Sequence, residues 1–186
     1  NEASISALAG LLKNILILSD EMNHASIISG IRHSRAEKVI FRHNDTEQLE
    51  ALLVGQPIDR PKLIIFESVY SMDGDEAPLK EMAILAEKYD AFLVVDEAHS
   101  TAVFGEQGAG LCVEQGVKPF ARIHTFGKGI GSHGACVVGS KVLKEYLINF
   151  SRQFIYTTAL SPHHVNQLIQ LYSFLESNWE GLQKRL

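Results

Sequence analysis

The sequence has no excess of basic residues. Its 17 Lys and Arg face 22 Asp and Glu, for a formal charge of −5. A nucleic-acid binder needs a basic face, so that class is set aside. Cysteine is scarce: Cys112 and Cys136 are too few and too far apart for a disulfide framework or a zinc ribbon. No metal site is expected. Long apolar runs are missing as well. The best candidate, Leu8 to Leu18, is interrupted by Lys13 and Asn14, so no membrane span is expected. The opening residues lack the basic-then-apolar order of a secretory signal. No internal repeat, low-complexity tract or Pro/Gly/Ser-rich linker divides the chain. What is present is apolar: 46% of 186 residues, which excludes intrinsic disorder and suffices for one buried core. These features predict a soluble α/β protein of a reducing, cytoplasmic compartment.

Four short apolar runs read as strands buried on both faces: Ile15 to Leu18, Val39 to Phe41, Leu63 to Phe66 and Phe92 to Val95. Helical patterns lie between them. His24 to His33 carries Ile27, Ile28 and Ile31, Thr46 to Leu53 opens after the N-cap candidate Asp45, and Pro78 to Tyr89 has a broad apolar stripe. Strands alternating with such helices predict a three-layer α-β-α sandwich around a mainly parallel sheet. Ile123 to Thr125 and Ala135 to Val138 flank a glycine-rich loop and are expected to pair antiparallel. Pro162 to Leu186 reads as one helix longer than the domain needs. Glu2 to Leu12 is helical with no strand before it, so the chain is expected to be a fragment.

Two motifs carry chemistry. Leu93 to His99 ends an apolar strand in Asp96, Glu97 and His99, and parallel sheets bind ligands outside those strand ends. A helicase metal box would need an upstream Gly-Lys-Ser/Thr loop. The chain's Gly127-Lys128 lies downstream and is followed by Gly129, so that reading fails. A strand ending in solvated charges remains the plain alternative. In Thr125-Phe126-Gly127-Lys128-Gly129 the lysine is either a surface residue in a turn or a Schiff-base amine kept nucleophilic by desolvation. The pair matters more than either motif. Asp96 and Lys128 are separated by one α/β unit and can project from one sheet edge. Pyridoxal phosphate needs such a pair, a lysine for its aldehyde and a carboxylate for its ring nitrogen.

Six ordered motifs resemble the α-oxoamine synthases, within the fold-type I pyridoxal phosphate enzymes. They are Asp20 to Ser26, Phe41 to Asp45, Glu67 to Asp75, Asp96 to His99, Thr125 to Gly129 and Tyr156 to Thr158. The resemblance implies the large domain of a fold-type I transferase, with pyridoxal 5'-phosphate as cofactor. By the same resemblance Lys128 is the Schiff-base lysine and proton carrier, Asp96 holds the pyridine nitrogen, and His99 reaches the ring hydroxyl. His24 stacks on the ring, and Ser71 lies near the ring hydroxyl and the substrate carbonyl. Thr125 takes the phosphate, and Thr158 with Thr157 offers a phosphate contact from a neighbouring subunit. The implied substrates are an amino acid and an acyl thioester of coenzyme A or acyl carrier protein, condensed with loss of carbon dioxide and thiol in a homodimer with shared active sites. Residues 1–186 would then be the central part of the cofactor-binding large domain, without its N-terminal segment and small C-terminal domain. Such a piece alone is expected to be inactive. A non-catalytic partner subunit is the other class of reading, and Lys128 argues against it. His33, His43, His124, His133, His163 and His164 are expected to be structural or solvated.

Overall fold

The computed structural model describes residues 1–185. The apolar runs become strands β1 (Leu16–Asp20), β2 (Glu37–Phe41), β3 (Lys62–Glu67) and β4 (Ala91–Asp96). The later runs become β5 (Ala121–Thr125) and β6 (Ala135–Gly139). They form one six-stranded sheet in the order β2-β1-β3-β4-β5-β6. The first five run parallel, and β6 joins β5 antiparallel, with Thr125 opposite Ala135.

Side chains alternate across a strand, so each apolar run feeds two cores. Leu16, Leu18, Ile64, Phe66, Leu93 and Val95 face one helical layer. There they meet α3 (Thr46–Val54) through Leu49 and Leu53, α4 (Leu79–Lys88) through Leu79 and Met82, and α5 (Leu111–Glu114) through Leu111. Ile17, Leu63, Ile65, Val94 and Ile123 face the other layer. It consists of α1 (Glu2–Ala9) with Ile5 and Leu8, α2 (Ala25–Ser34) with Ile27 and Ile31, and α6 (Lys141–Phe150) with Leu143. The α-β-α sandwich follows from that division. The Asp45 carboxylate accepts the Gln48 N–H at 2.7 Å and so starts α3 where its cap predicts.

Two expectations need correction. Strand β2 is not buried on both faces: it is the sheet edge, and Glu37, Lys38 and Ile40 are exposed. Its charged residues keep that edge from pairing further. Helix α8 (Pro162–Gln183) does serve the domain. Its Leu175 and Trp179 bury against Phe126 and Ile130, beside the loop that carries Lys128. The last residue of the expected helix, Leu186, lies outside the described residues. Between β6 and α8 run α6 and α7 (Arg152–Ile155), each opened by a serine cap, Ser140 and Ser151. Among the described residues no helix is long and apolar enough to cross a membrane, and no group of three His, Cys, Asp or Glu could hold a metal ion.

Candidate active site

Three neighbouring strands end in buried carboxylates at the same edge of the sheet: Asp20 on β1, Glu67 on β3 and Asp96 on β4. Glu67 stands opposite Asp96 in the strand register. The Asp96 Oδ1 accepts the Ala98 N–H at 3.0 Å, and its Oδ2 accepts the Asn1 side-chain amide at 2.5 Å. Burial raises its proton affinity, while these bonds and the Lys128 charge oppose the rise. Glu97 turns away from this edge. Its oxygens accept from the Cys112 N–H and the Ser100 hydroxyl, both at 2.8 Å. A Cβ at Gly110, where φ is +101°, would lie 1.5 Å from that carboxylate, so only glycine fits there.

Lys128 enters from the loop between β5 and β6. Its Nζ stands 2.5 Å from His99 Nε2, on the turn after Asp96. Burial lowers the lysine's pKa, with Asp96 and Glu67 opposing. His99 is lowered too, first by burial and then by the lysine charge, which favours neutral imidazole beside the amine. The glycines are spatially distinct: a Cβ at Gly129 would meet the Thr101 carbonyl at 2.4 Å, whereas one at Gly127 finds only the Ser132 oxygen at 3.8 Å. Gly129 lets the lysine's backbone lie against the turn that carries His99. Thr125 ends β5, and its Oγ1 is buried without a hydrogen-bond partner. Such an orphaned hydroxyl fits a missing anionic ligand.

His24 is the N-cap of α2, with its Nδ1 accepting the Ser26 N–H at 3.2 Å. Its own N–H donates to Glu67 Oε1 at 2.6 Å. Ser71 is half-buried at the start of the turn between β3 and α4, which Gly74 closes through a bond from its N–H to the Tyr70 carbonyl. Lys128 and His99 are therefore in contact, and the Asp96 and Lys128 charges act on each other. Thr157 and Thr158 are exposed beyond α7, and the Thr157 hydroxyl donates to the Gln153 carbonyl. Among the described residues neither bonds to another of the expected site residues.

The sequence reading assigned no role to Glu67, whose pKa burial pushes to about 7. His43, expected to be structural or solvated, has partners that expectation did not name. The His43 ring bridges buried Asp20 at 3.1 Å and Asp75 at 2.8 Å, edge-on to Tyr70. Both carboxylates pull its pKa up against burial. A signal did exist: three apolar runs each end in an acid, LILSD, LIIFE and LVVD.

Residues 1–186 match the family model for aminotransferase class I and II. The mitochondrial 5-aminolevulinate synthase of Schizosaccharomyces pombe is 43% identical over 190 residues, covering 100% of this chain and 34% of that protein. A putative 8-amino-7-oxononanoate synthase of Geobacillus kaustophilus is 47% identical over 164 residues, 86% of this chain and 42% of that one. The serine palmitoyltransferase from S. paucimobilis, solved with bound PLP and myriocin, superposes with a TM-score of 0.89 at 34% identity, over 99% of this chain and 47% of that structure. The chain thus spans between about a third and a half of the length of the relatives it matches. With its motifs, its parallel sheet and this match along its whole length, the chain belongs to the aminotransferase class I and II family, among the α-oxoamine synthases.

Proposed function

We propose that this chain is the cofactor-binding core of a pyridoxal phosphate-dependent synthase that joins an amino acid to an acyl thioester with loss of carbon dioxide. The carrying observation is Lys128 beside His99, facing buried Asp96, at the end of a parallel sheet. The residues present fit pyridoxal phosphate: Lys128 for the aldehyde, Asp96 for the ring nitrogen, His99 for the ring hydroxyl, and the orphaned Thr125 hydroxyl for the phosphate. Bound there, the cofactor would supply an aldehyde for amines and a pyridinium that accepts the electron pair released at the substrate Cα.

The chain's own groups do the rest. Burial depresses the Lys128 pKa, so more of the amine is neutral and nucleophilic at a given pH. With the cofactor in place, the Lys128 Nζ would take the Cα proton of the substrate and later return one. Asp96 would hold the cofactor's protonated ring nitrogen, because a desolvated carboxylate is favoured beside a cation. His99 keeps the lysine's position and would donate to the ring hydroxyl. His24 would cover one face of the bound ring and exclude water there. Exposed Thr157 and Thr158 are available to a second subunit, which supports a homodimer with shared active sites.

For substrates, the reading favours alanine and a pimeloyl thioester, as in 8-amino-7-oxononanoate synthase. Around the lysine, aminolevulinate synthases tend to read Thr-Leu-Ala-Lys-Ala and serine palmitoyltransferases Thr-Phe-Ser-Lys-Ser. Here the flanking residues are Gly127 and Gly129, and a Cβ at Gly129 would strike Thr101. The neighbouring turn is therefore packed for glycine, which supports the first reading. Glycine C-acetyltransferase is the runner-up. The test is product formation by the full-length protein containing this chain, with alanine or glycine and pimeloyl or acetyl thioesters of coenzyme A and acyl carrier protein. Turnover of alanine with a pimeloyl thioester is expected. Turnover of glycine alone moves the assignment to the runner-up, and no condensation with any pair removes it.

A further inference from the structure

Of the three carboxylates that end β1, β3 and β4, the proposed function uses only Asp96. Glu67 is 2% exposed, and an acid so buried is destabilising unless it is well bonded. Its bond is to the backbone of a site residue: Oε1 accepts the His24 N–H at 2.6 Å. The preceding residue is tied to the same strand and to its neighbour β1. The Asn23 side-chain amide donates to the Ile65 carbonyl at 2.9 Å and to the Ser19 hydroxyl at 3.0 Å. The His24 peptide is thus anchored on β3 from both sides of its Cα-to-Cα link. Its ring is fixed from the other end, with Nδ1 accepting the Ser26 N–H. Backbone and imidazole are held by separate bonds, and the backbone bond belongs to Glu67.

We propose that Glu67 is a positioning residue which, through its bond to the His24 N–H, sets where the His24 imidazole stands over the cofactor ring. This rests on the functional reading above. Among the described residues the carboxylate makes no hydrogen bond to the lysine or to the expected substrate-facing hydroxyls; its charge acts on Lys128 through space, while its bonded influence runs through His24. A misplacement of about 1 Å in a group that orients the reacting atoms can cost up to about 100-fold in rate.

Two substitutions separate the bond from the charge. Glu67→Gln keeps an acceptor of the same length and loses the charge. Glu67→Asp keeps the charge and draws the acceptor back by one methylene. In the full-length protein with pyridoxal phosphate, Glu67→Asp is expected to alter the visible circular dichroism of the bound cofactor and to lower kcat/KM about tenfold. Glu67→Gln is expected to restore both. With His24→Ala as background, adding Glu67→Asp should change kcat/KM by less than about twofold, since coupled residues are not additive. A full tenfold loss in that background overturns the proposal, as does a Glu67→Gln protein as impaired as Glu67→Asp. The dichroism reads the cofactor's pose without turnover. A protein that binds cofactor yet condenses no substrate would therefore sink the synthase reading while leaving Glu67 testable.

Discussion

The sheet with its flanking layers and the helical stretch after it use apolar residues in opposite ways. In β1, β3 and β4 nearly every side chain is buried, down to the terminal acids. From α6 to α8, large apolar side chains face outward: Phe150 is 66% exposed, Phe154 63% and Tyr156 79%. The first region is covered by its own chain. The second buries little beyond Leu143, Leu175 and Trp179, and a surface so apolar marks an interaction face. The candidate site residues Asp96, His99 and Lys128 cluster where the chain covers itself, and the candidate cross-subunit residues Thr157 and Thr158 lie where it does not.

The largest expected effect sharpens this division. In the full-length protein, Lys128→Ala should lower turnover by at least about 10²–10⁴-fold, while Lys141→Ala at the start of exposed α6 leaves it within about twofold. Borohydride trapping with peptide mapping checks the same point, and a label on Lys118 or Lys141 would break it. Stability should divide likewise. Phe66→Ala, in the fully buried core, is expected to cost about 3–5 kcal/mol. Phe154→Ala in the monomeric chain should stay within about 0.5 kcal/mol. Urea unfolding measures both, and equal losses would refute the contrast.

Glycines give a smaller contrast of opposite sign. Gly129→Ala drives a Cβ into the Thr101 carbonyl and should destabilise, whereas a Cβ at Gly181 in α8 meets nothing within 4 Å. There Gly181→Ala should stabilise by about 0.4–1 kcal/mol. Thermal midpoints of the two variants decide it. The smallest effect concerns pH. Burial raises Glu67 from its usual 4.5 to about 7, so the folded chain keeps a proton that the unfolded chain releases. Its contribution is complete below about pH 4.5 and is lost as pH rises towards about 7. The midpoint of wild type relative to Glu67→Gln should fall through that window and then level off. A difference flat from pH 4 to 8 would contradict it.

The central strands were legible because burial on both faces demands continuous apolar runs, as in Leu63 to Phe66. Strand β2 misled because Val39-Ile40-Phe41 has the same composition, while its edge position depends on which strands flank it. Asp96, His99 and Lys128 could be read because their motifs are local. The place of Glu67 at the end of an apolar run was visible, but its role was not, since its partner is the backbone N–H of His24, 43 residues away, and a backbone donor leaves no mark in sequence. The partners of His43 are side-chain carboxylates, but they lie 23 and 32 residues distant, and their pairing with the ring exists only in the fold.

Among the described strands of the sheet, the antiparallel pair of β5 with β6 has a shorter path to closure than the parallel pairs. Parallel neighbours need a crossover before they can meet, so each of the other four pairings waits on a long loop closure. The hairpin of Ala121–Thr125 and Ala135–Gly139 closes over residues 126–134 alone, and short closures are fast. Lys128 thus rides on the most locally assembled part of the sheet. The buried acids that oppose its lowered pKa come from β3 and β4, and reach it only when that hairpin docks. The lysine's loop is thus a local feature of the chain, whereas the charges that act on its amine are brought to it by the tertiary fold.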